Sequence, residues 1–203
     1  YAPPTEDAAA GVYEPGLHAA ESVEAAERSI TLTHDLCGDL PLSPARCKKV
    51  LINYLNEEVF WDGTGRRGVS DTSDPKTLTE ELRRRGIAAD VVEDPGEGDT
   101  GKRMGGYDAI LYLFDTGGAA SRCSIMPCRQ ALRDVDWKVI NSEKPVIFVA
   151  LRSPYLRYYL PGIPNLVCTY SNLAPAQRAL ARCLLGEIPF TGRLPVTLPK
   201  AIG

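Results

Sequence analysis

The sequence is short of the features that announce most classes of function. No apolar run approaches the roughly 20 residues that a membrane-crossing helix needs. The longest stretches, Ala109–Phe114 and Pro145–Leu151, are of strand length, so no membrane is expected as a partner. Nor is there an excess of either charge. The chain has 23 Lys and Arg against 26 Asp and Glu, a formal net charge of -3, and an isoelectric point near 5.5. Nothing in that balance would draw in a phosphate backbone, and nucleic acid is not an expected partner. Histidine occurs only at His18 and His34, there is no Gly-x-Ser-x-Gly elbow, and no Ser/His or Cys/His pair can be identified. Nucleophilic catalysis therefore lacks specific support. The six cysteines (Cys37, Cys47, Cys123, Cys128, Cys168, Cys183) are too sparse for a disulfide scaffold. Only Cys123 and Cys128 are closely spaced, without a second matching pair or a histidine nearby, so neither a metal nor a cofactor is expected. Cys168 in a strand and Cys183 on a helix's apolar face read as buried thiols. Ahead of Leu17 there is no basic segment followed by an apolar one, so no signal peptide is expected, and a start at Tyr1 reads as a cut from something longer.

What is present is an ordinary globular composition, 44% apolar and 24% charged over 203 residues, long enough to bury roughly 70% of its unfolded surface. Residues 1–16, with several prolines and alanines and no apolar period, read as a linker or N-terminal arm, and residues 17–203 as one domain. Leu17–Ile30 has helical spacing and leads to a short extended piece, Ile30–Thr33, ended by the turn Asp35–Pro41. Four apolar runs of strand length follow, Val50–Leu55, Ala88–Val92, Ala109–Phe114 and Val146–Leu151, then a shorter one, Leu166–Tyr170. They are apolar throughout rather than alternating, as strands covered on both faces are. Helical patterns lie between and after them at Pro75–Arg85, about Met126–Ile140 and Ala174–Gly186. In the last, Ala176, Ala179, Leu180, Cys183 and Leu184 share one face, and Gly186 supplies the stop. Strand alternating with helix predicts a three-layer α/β/α sandwich with a mainly parallel sheet of about six strands. Leu194–Leu198, bracketed by Pro195 and Pro199, is placed at an edge or as a strap.

In an open parallel sheet, ligands meet residues just past the carboxyl ends of the strands. After the first main strand come Gly63, Gly65 and Gly68 around Arg66 and Arg67; after the third, Asp115-Thr116-Gly117-Gly118; after the fourth, Arg152-Ser153-Pro154-Tyr155. Gly63–Gly68 lacks the Lys-Ser/Thr ending of a phosphate loop and does not open into a helix, so it reads as a surface loop. Asp115 could point into the crevice or cap a neighbouring loop. Trp61 could stack on a sugar or plug the end of the sheet. The substrate-binding candidates are thus Asp115, Arg152, Ser153, Tyr155 and Trp61. The run Glu80–Arg85 reads as a solvated helix face, with Glu80 paired to Arg84 and Glu81 to Arg85 at i, i+4.

Lys144 to Pro199 carries further signals: Lys144-Pro145, Ser153-Pro154, Ala179-Leu180, Leu185-Gly186-Glu187 and the finish Gly192-Arg193-Leu194-Pro195-Val196-Thr197-Leu198-Pro199. Near the other end stand Ala25-Ala26-Glu27-Arg28-Ser29-Ile30-Thr31-Leu32 and Asp39-Leu40-Pro41-Leu42. These segments resemble the C-terminal α/β sandwich domain of glycoside hydrolase family 3, strongest at the two ends and vague between Asn56 and Gly106. The resemblance implies retaining hydrolysis of O-glycosides by a parent protein in which the sandwich packs on a (β/α)8 barrel. A barrel needs about 250 residues, more than the 203 of this chain, so it is expected as a partner rather than as part of the same 203 residues. The family's nucleophile is a barrel Asp. Its β-glucosidase branch also draws a carboxylate from the sandwich and carries a Gly-rich W-x-P-G-x-x-x-G stretch there. Cys168–Pro175 lacks those glycines and is similar to the β-N-acetylglucosaminidase branch, whose acid/base belongs to a barrel loop. No catalytic residue is therefore carried over. The expected partners are the barrel, a carbohydrate substrate and, in place of the barrel, a second copy. Two other readings stay open, a stand-alone carbohydrate- or protein-binding module and a small α/β enzyme using Asp115.

Overall fold

The computed structural model describes residues 16, 18–56, 59–61, 67–69, 75–93, 95–96, 98–115, 135 and 137–198, without the side chains of 56, 59–61, 67–69 and 137. Its elements in chain order are α1 (Ala19–Ser29), β1 (Thr31–Asp35), β2 (Lys49–Asn56), β3 (Val59–Trp61), β4 (Arg67–Val69), α2 (Lys76–Arg84), β5 (Ala88–Glu93), α3 (Asp99–Arg103), β6 (Ala109–Asp115), α4 (Trp137–Ile140), β7 (Val146–Ala150), β8 (Asn165–Cys168) and α5 (Ala174–Leu184). Short 3-10 turns occupy Met104–Gly106 and Pro154–Tyr158.

The main sheet runs β1-β8-β7-β6-β2-β5. Every neighbouring pair is parallel except β1 with β8. Setting β1 aside, the order is the doubly wound 2-1-3-4-5 pattern, whose winding reverses between β2 and β6. Successive residues of each central strand feed opposite cores. Ala109, Leu111 and Leu113 of β6 pack on one side with Leu78 and Leu82 of α2 and Leu180 and Leu184 of α5. Ile110, Tyr112 and Phe114 pack on the other with Val139 of α4, Leu156 and Ile163. There the Tyr112 and Phe148 rings stack with centroids 5.2 Å apart and planes 11° from parallel. Two covered faces explain why β6 and β7 are apolar from Ala109 to Phe114 and from Val146 to Ala150. This is the three-layer α/β/α sandwich expected from the sequence.

Several sequence expectations change. β5 lies at the sheet edge, with Ala88, Asp90, Val91 and Glu93 exposed and only Ala89 buried, so it is not covered on both faces. The glycine-rich stretch after β2 contains a two-stranded antiparallel ribbon, β3 with β4, in which Trp61 pairs with Arg67; Gly63, Gly65 and Arg66 lie outside the described residues. Of the helix expected at about Met126–Ile140, only α4 is described, and Cys123 and Cys128 fall outside the described residues. Leu194–Leu198 forms no strand. The short extended piece expected at Ile30–Thr33 runs on through His34 to Asp35 as β1. Glu81 is buried rather than solvated; it pairs with Arg84 at 3.2 Å and also with Arg85.

The motif residues near both ends meet in space. Leu42, just after the cis Leu40–Pro41 bond, donates its N–H to the Leu184 carbonyl at 2.7 Å. Gly186 ends α5 at φ +72°, and a Cβ there would press on the Pro41 ring. Glu187 grips the Arg85 guanidinium by both carboxylate oxygens, tying α5 to the end of α2. Gly192 donates to the Ile30 carbonyl at 3.0 Å, and a Cβ on it would overlap the Ser29 carbonyl oxygen and Thr31 Oγ1. The finish is therefore a strap laid against the α1–β1 junction, and only glycine fits its closest approach. Lys144 donates its ammonium to the Met104 carbonyl at 2.9 Å and to that of Tyr107, satisfying acceptors left open at the end of a helical turn.

Candidate functional site

The reversal of winding between β2 and β6 is where a doubly wound sheet opens a crevice beyond its strand ends. Asn56 and Asp115, the last residues of the two strands, are in register there. Asp115 is 0% exposed. One carboxylate oxygen, Oδ1, lies 2.5 Å from Arg152 Nε. The other, Oδ2, accepts from the Tyr54 hydroxyl at 2.7 Å and from Asn172 Nδ2 at 3.0 Å. The Asn172 carbonyl in turn accepts from Gln177 Nε2 at 2.7 Å, and Gln177 Oε1 accepts the Leu78 N–H at 2.9 Å. One chain of polar contacts thus joins the ends of β2, β6 and β7, the loop after β8, and the first turns of α5 and α2.

The local reasons are plain. Tyr54 faces the same core as Leu113, which brings its hydroxyl under the end of β6. Arg152 leaves the end of β7, the strand beside β6. A buried carboxylate without partners would cost several kcal/mol; here a cation lies against Oδ1 and two neutral donors hydrogen-bond Oδ2. What this arrangement does chemically is fix the strand ends. A nucleophile or proton donor needs an oxygen free to face a substrate, and both oxygens of Asp115 already face protein donors.

The other candidates fall around this cluster. Ser153 accepts the Tyr155 N–H at 3.4 Å as the cap of the Pro154–Tyr158 turn. The Tyr155 ring lies 6.0 Å from that of Tyr158, tilted by 44°, and Tyr158 is 55% exposed. The structure brings Asp115 and Arg152 into contact and carries Ser153 and Tyr155 on the continuing chain. It leaves Trp61 on β3, in a different sheet. Tyr54, Asn172 and Gln177 are not singled out by the sequence alone. Their signal there is positional: Asn172 stands just past β8, where strand-end residues gather, and Tyr54 stands two residues before the end of β2. No group of three or more metal-binding side chains occurs among the described residues, and no described helix is long and apolar enough to cross a membrane.

No protein-family model matches the sequence. A curated relative, the beta-N-acetylglucosaminidase/beta-glucosidase of Cellulomonas fimi, is 26% identical over 198 residues, which is 93% of this chain and 34% of the relative. The chain thus spans about a third of that protein's length. Among solved structures, a glycoside hydrolase family 3 beta-N-acetylglucosaminidase from Paenibacillus sp. str. FPU-7 superposes with a TM-score of 0.63 at 20% identity, over 89% of this chain and 32% of that one. A fungal multi-domain enzyme of the same family gives 0.68 at 20% identity, over 92% and 20%. Beta-glucoside phosphorylase BglX gives 0.65 at 21%, over 87% and 31%. The structural likenesses establish the fold, and the curated relative extends the likeness along nearly the whole chain. On both grounds the chain is similar, along nearly its whole length, to one α/β sandwich portion of glycoside hydrolase family 3 enzymes.

Proposed function

We propose that residues 17–203 are the sandwich half of a retaining glycosidase of the β-N-acetylglucosaminidase type, following an arm at residues 1–16, and that this half does not hydrolyse glycosides by itself. Retaining hydrolysis needs two carboxyl groups about 5–5.5 Å apart across the sugar, one free to attack and one able to donate a proton. The observation that carries the reading is the state of Asp115: the acidic side chain at the switch point has both oxygens engaged by Arg152, Tyr54 and Asn172. The nucleophile and the acid/base then belong to a (β/α)8 barrel partner. The sandwich lends that barrel a rigid wall, with Arg152, Ser153, Tyr155 and Trp61 at the strand-end rim beside the carbohydrate.

Assaying the 203-residue chain on aryl N-acetylglucosaminides and aryl glucosides tests this. Turnover should be absent from the wild type and from Asp115→Asn alike. Hydrolysis that Asp115→Asn abolishes would overturn the reading. A barrel encoded in the adjoining reading frame, restoring turnover when joined to this chain, would support it.

The Tyr155–Tyr158 pair, half-buried at Tyr155 and exposed at Tyr158, favours one second reading, a module that binds sugar by stacking. Glycan binding by the isolated chain that Tyr155→Ala and Trp61→Ala both remove would decide for it.

A further inference from the structure

We propose that Arg157 is a binding site for a small oxyanion, a carboxylate or phosphate group held side-on, at the β1–β8 flank of the sheet and apart from the switch point. The proposal is independent of the glycosidase reading. Arg157 sits in the Pro154–Tyr158 turn, within the chain that leaves the end of β7 and returns to start β8. It is 6% exposed. Its Nε and Nη2 are both covered, and neither has an acceptor among the described residues.

Those two atoms are not an arbitrary pair. They form one edge of the guanidinium plane, with parallel N–H bonds spaced to meet the two oxygens of a carboxylate or phosphate. A buried, uncompensated guanidinium is costly, and the other buried charges among the described residues are paired, Asp115 with Arg152 and Glu81 with Arg84 and Arg85. Arg157 differs from them in presenting a whole donor edge that no described side chain or carbonyl meets.

The neighbouring histidine senses that uncompensated charge. His34 Nε2 lies 3.0 Å from the Ile163 carbonyl and Nδ1 lies 2.7 Å from Thr33 Oγ1. Burial pushes its imidazole down from the usual range, the charge of Arg157 pushes it further, and the Ile163 carbonyl and Asp35 oppose both. An anion seated on Arg157 would cancel the repulsion.

The test is an NMR pH titration of the full chain in chloride, acetate or inorganic phosphate at constant ionic strength. The sequence contains only two histidines, and His18, exposed at the start of α1, serves as the internal reference. Occupancy of Arg157 should raise the His34 midpoint by roughly half a pH unit in acetate or phosphate relative to chloride, with His18 unmoved; the two arms show which oxyanion the edge prefers. Arg157→Lys, which keeps the charge and loses the two-pronged edge, should lose the response. Arg157→Gln should raise the midpoint in chloride already and respond to neither anion. Equal His34 midpoints in all three salts, parallel movement of His18, or a response that survives in Arg157→Lys would overturn the proposal. The wild-type titration decides alone if either variant fails to fold.

Discussion

Replacing Asp115 with Asn keeps the shape of the side chain and removes its charge. Neither orientation of the new amide can repair the site. With nitrogen in the Oδ1 position it meets the Arg152 Nε–H, and in the Oδ2 position it meets the Tyr54 and Asn172 donors. At least one buried donor loses its acceptor either way. Breaking a buried ion pair by removing one partner costs about 3–5 kcal/mol. Arg152 retains 26% side-chain exposure, so water recovers part of its share, and the expected loss is about 2–4 kcal/mol. Against a total stability of about 5–15 kcal/mol that is large. In urea, at an m-value of about 2–3 kcal/mol per molar, the midpoint should fall by roughly 1 M with m unchanged. Arg152→Gln should cost less, because its site is partly wet. The double variant should fall short of the sum by about 1–3 kcal/mol, the coupling of the pair. A midpoint within about 0.2 M of wild type for Asp115→Asn, or strict additivity in the cycle, would refute the sealed-carboxylate argument.

Gly192→Ala should destabilise by about 2–4 kcal/mol, from overpacking against the Ser29 carbonyl oxygen and loss of the Gly192–Ile30 hydrogen bond; a thermal melt showing no decrease would mean the strap is free to shift. Stability should also fall with acid in two windows. His34 is held below its usual 6.5 by burial, so the unfolded chain takes that proton first and stability declines as the pH drops through and below 6.5. Glu187 is held below its usual 4.5 by Arg85, so its contribution is present above 4.5 and is lost as the pH falls through its depressed folded value. In urea midpoints measured from about pH 7 to about pH 3, His34→Gln should flatten the upper window and Glu187→Gln the lower. Finally, Cys37 is exposed while Cys47, Cys168 and Cys183 are buried, with thiols pushed up by burial to about 11, 12 and 11 respectively. Of these four, iodoacetamide should label Cys37 rapidly in native protein and the others only after denaturation, as read by peptide mass.

The order of elements was legible because it rests on local signals. Apolar runs such as Ala109–Phe114 need cover on both faces, the α5 stripe repeats at helical spacing, and Gly186 stops the helix in a conformation few other residues accept. β5 was read with the other apolar strands, yet Asp90 within it is exposed, and its place at the edge is a matter of which strand lies outermost. The β3–β4 ribbon hid among glycines and arginines that read as loop.

The site divides the same way. The residue types at strand ends, Asp115 and Arg152 among them, followed from where the apolar runs stop. Whether Asp115 faces a ligand or is sealed depends on Tyr54, 61 positions earlier in the chain, and Asn172, 57 positions later. Likewise, Gly192 and Glu187 were visible as motif letters, while their roles against Ile30 and Arg85 required the chain to close on itself. The sequence by itself determined the elements, their alternation and the resemblance to glycoside hydrolase family 3, because propensity, period and motif spacing are properties of neighbouring residues. Only the tertiary structure decided that the switch-point carboxylate is an anchor and that Arg157 holds an unmatched pair of donors, because burial and hydrogen-bond partners are set by residues that are distant in the chain and adjacent in space.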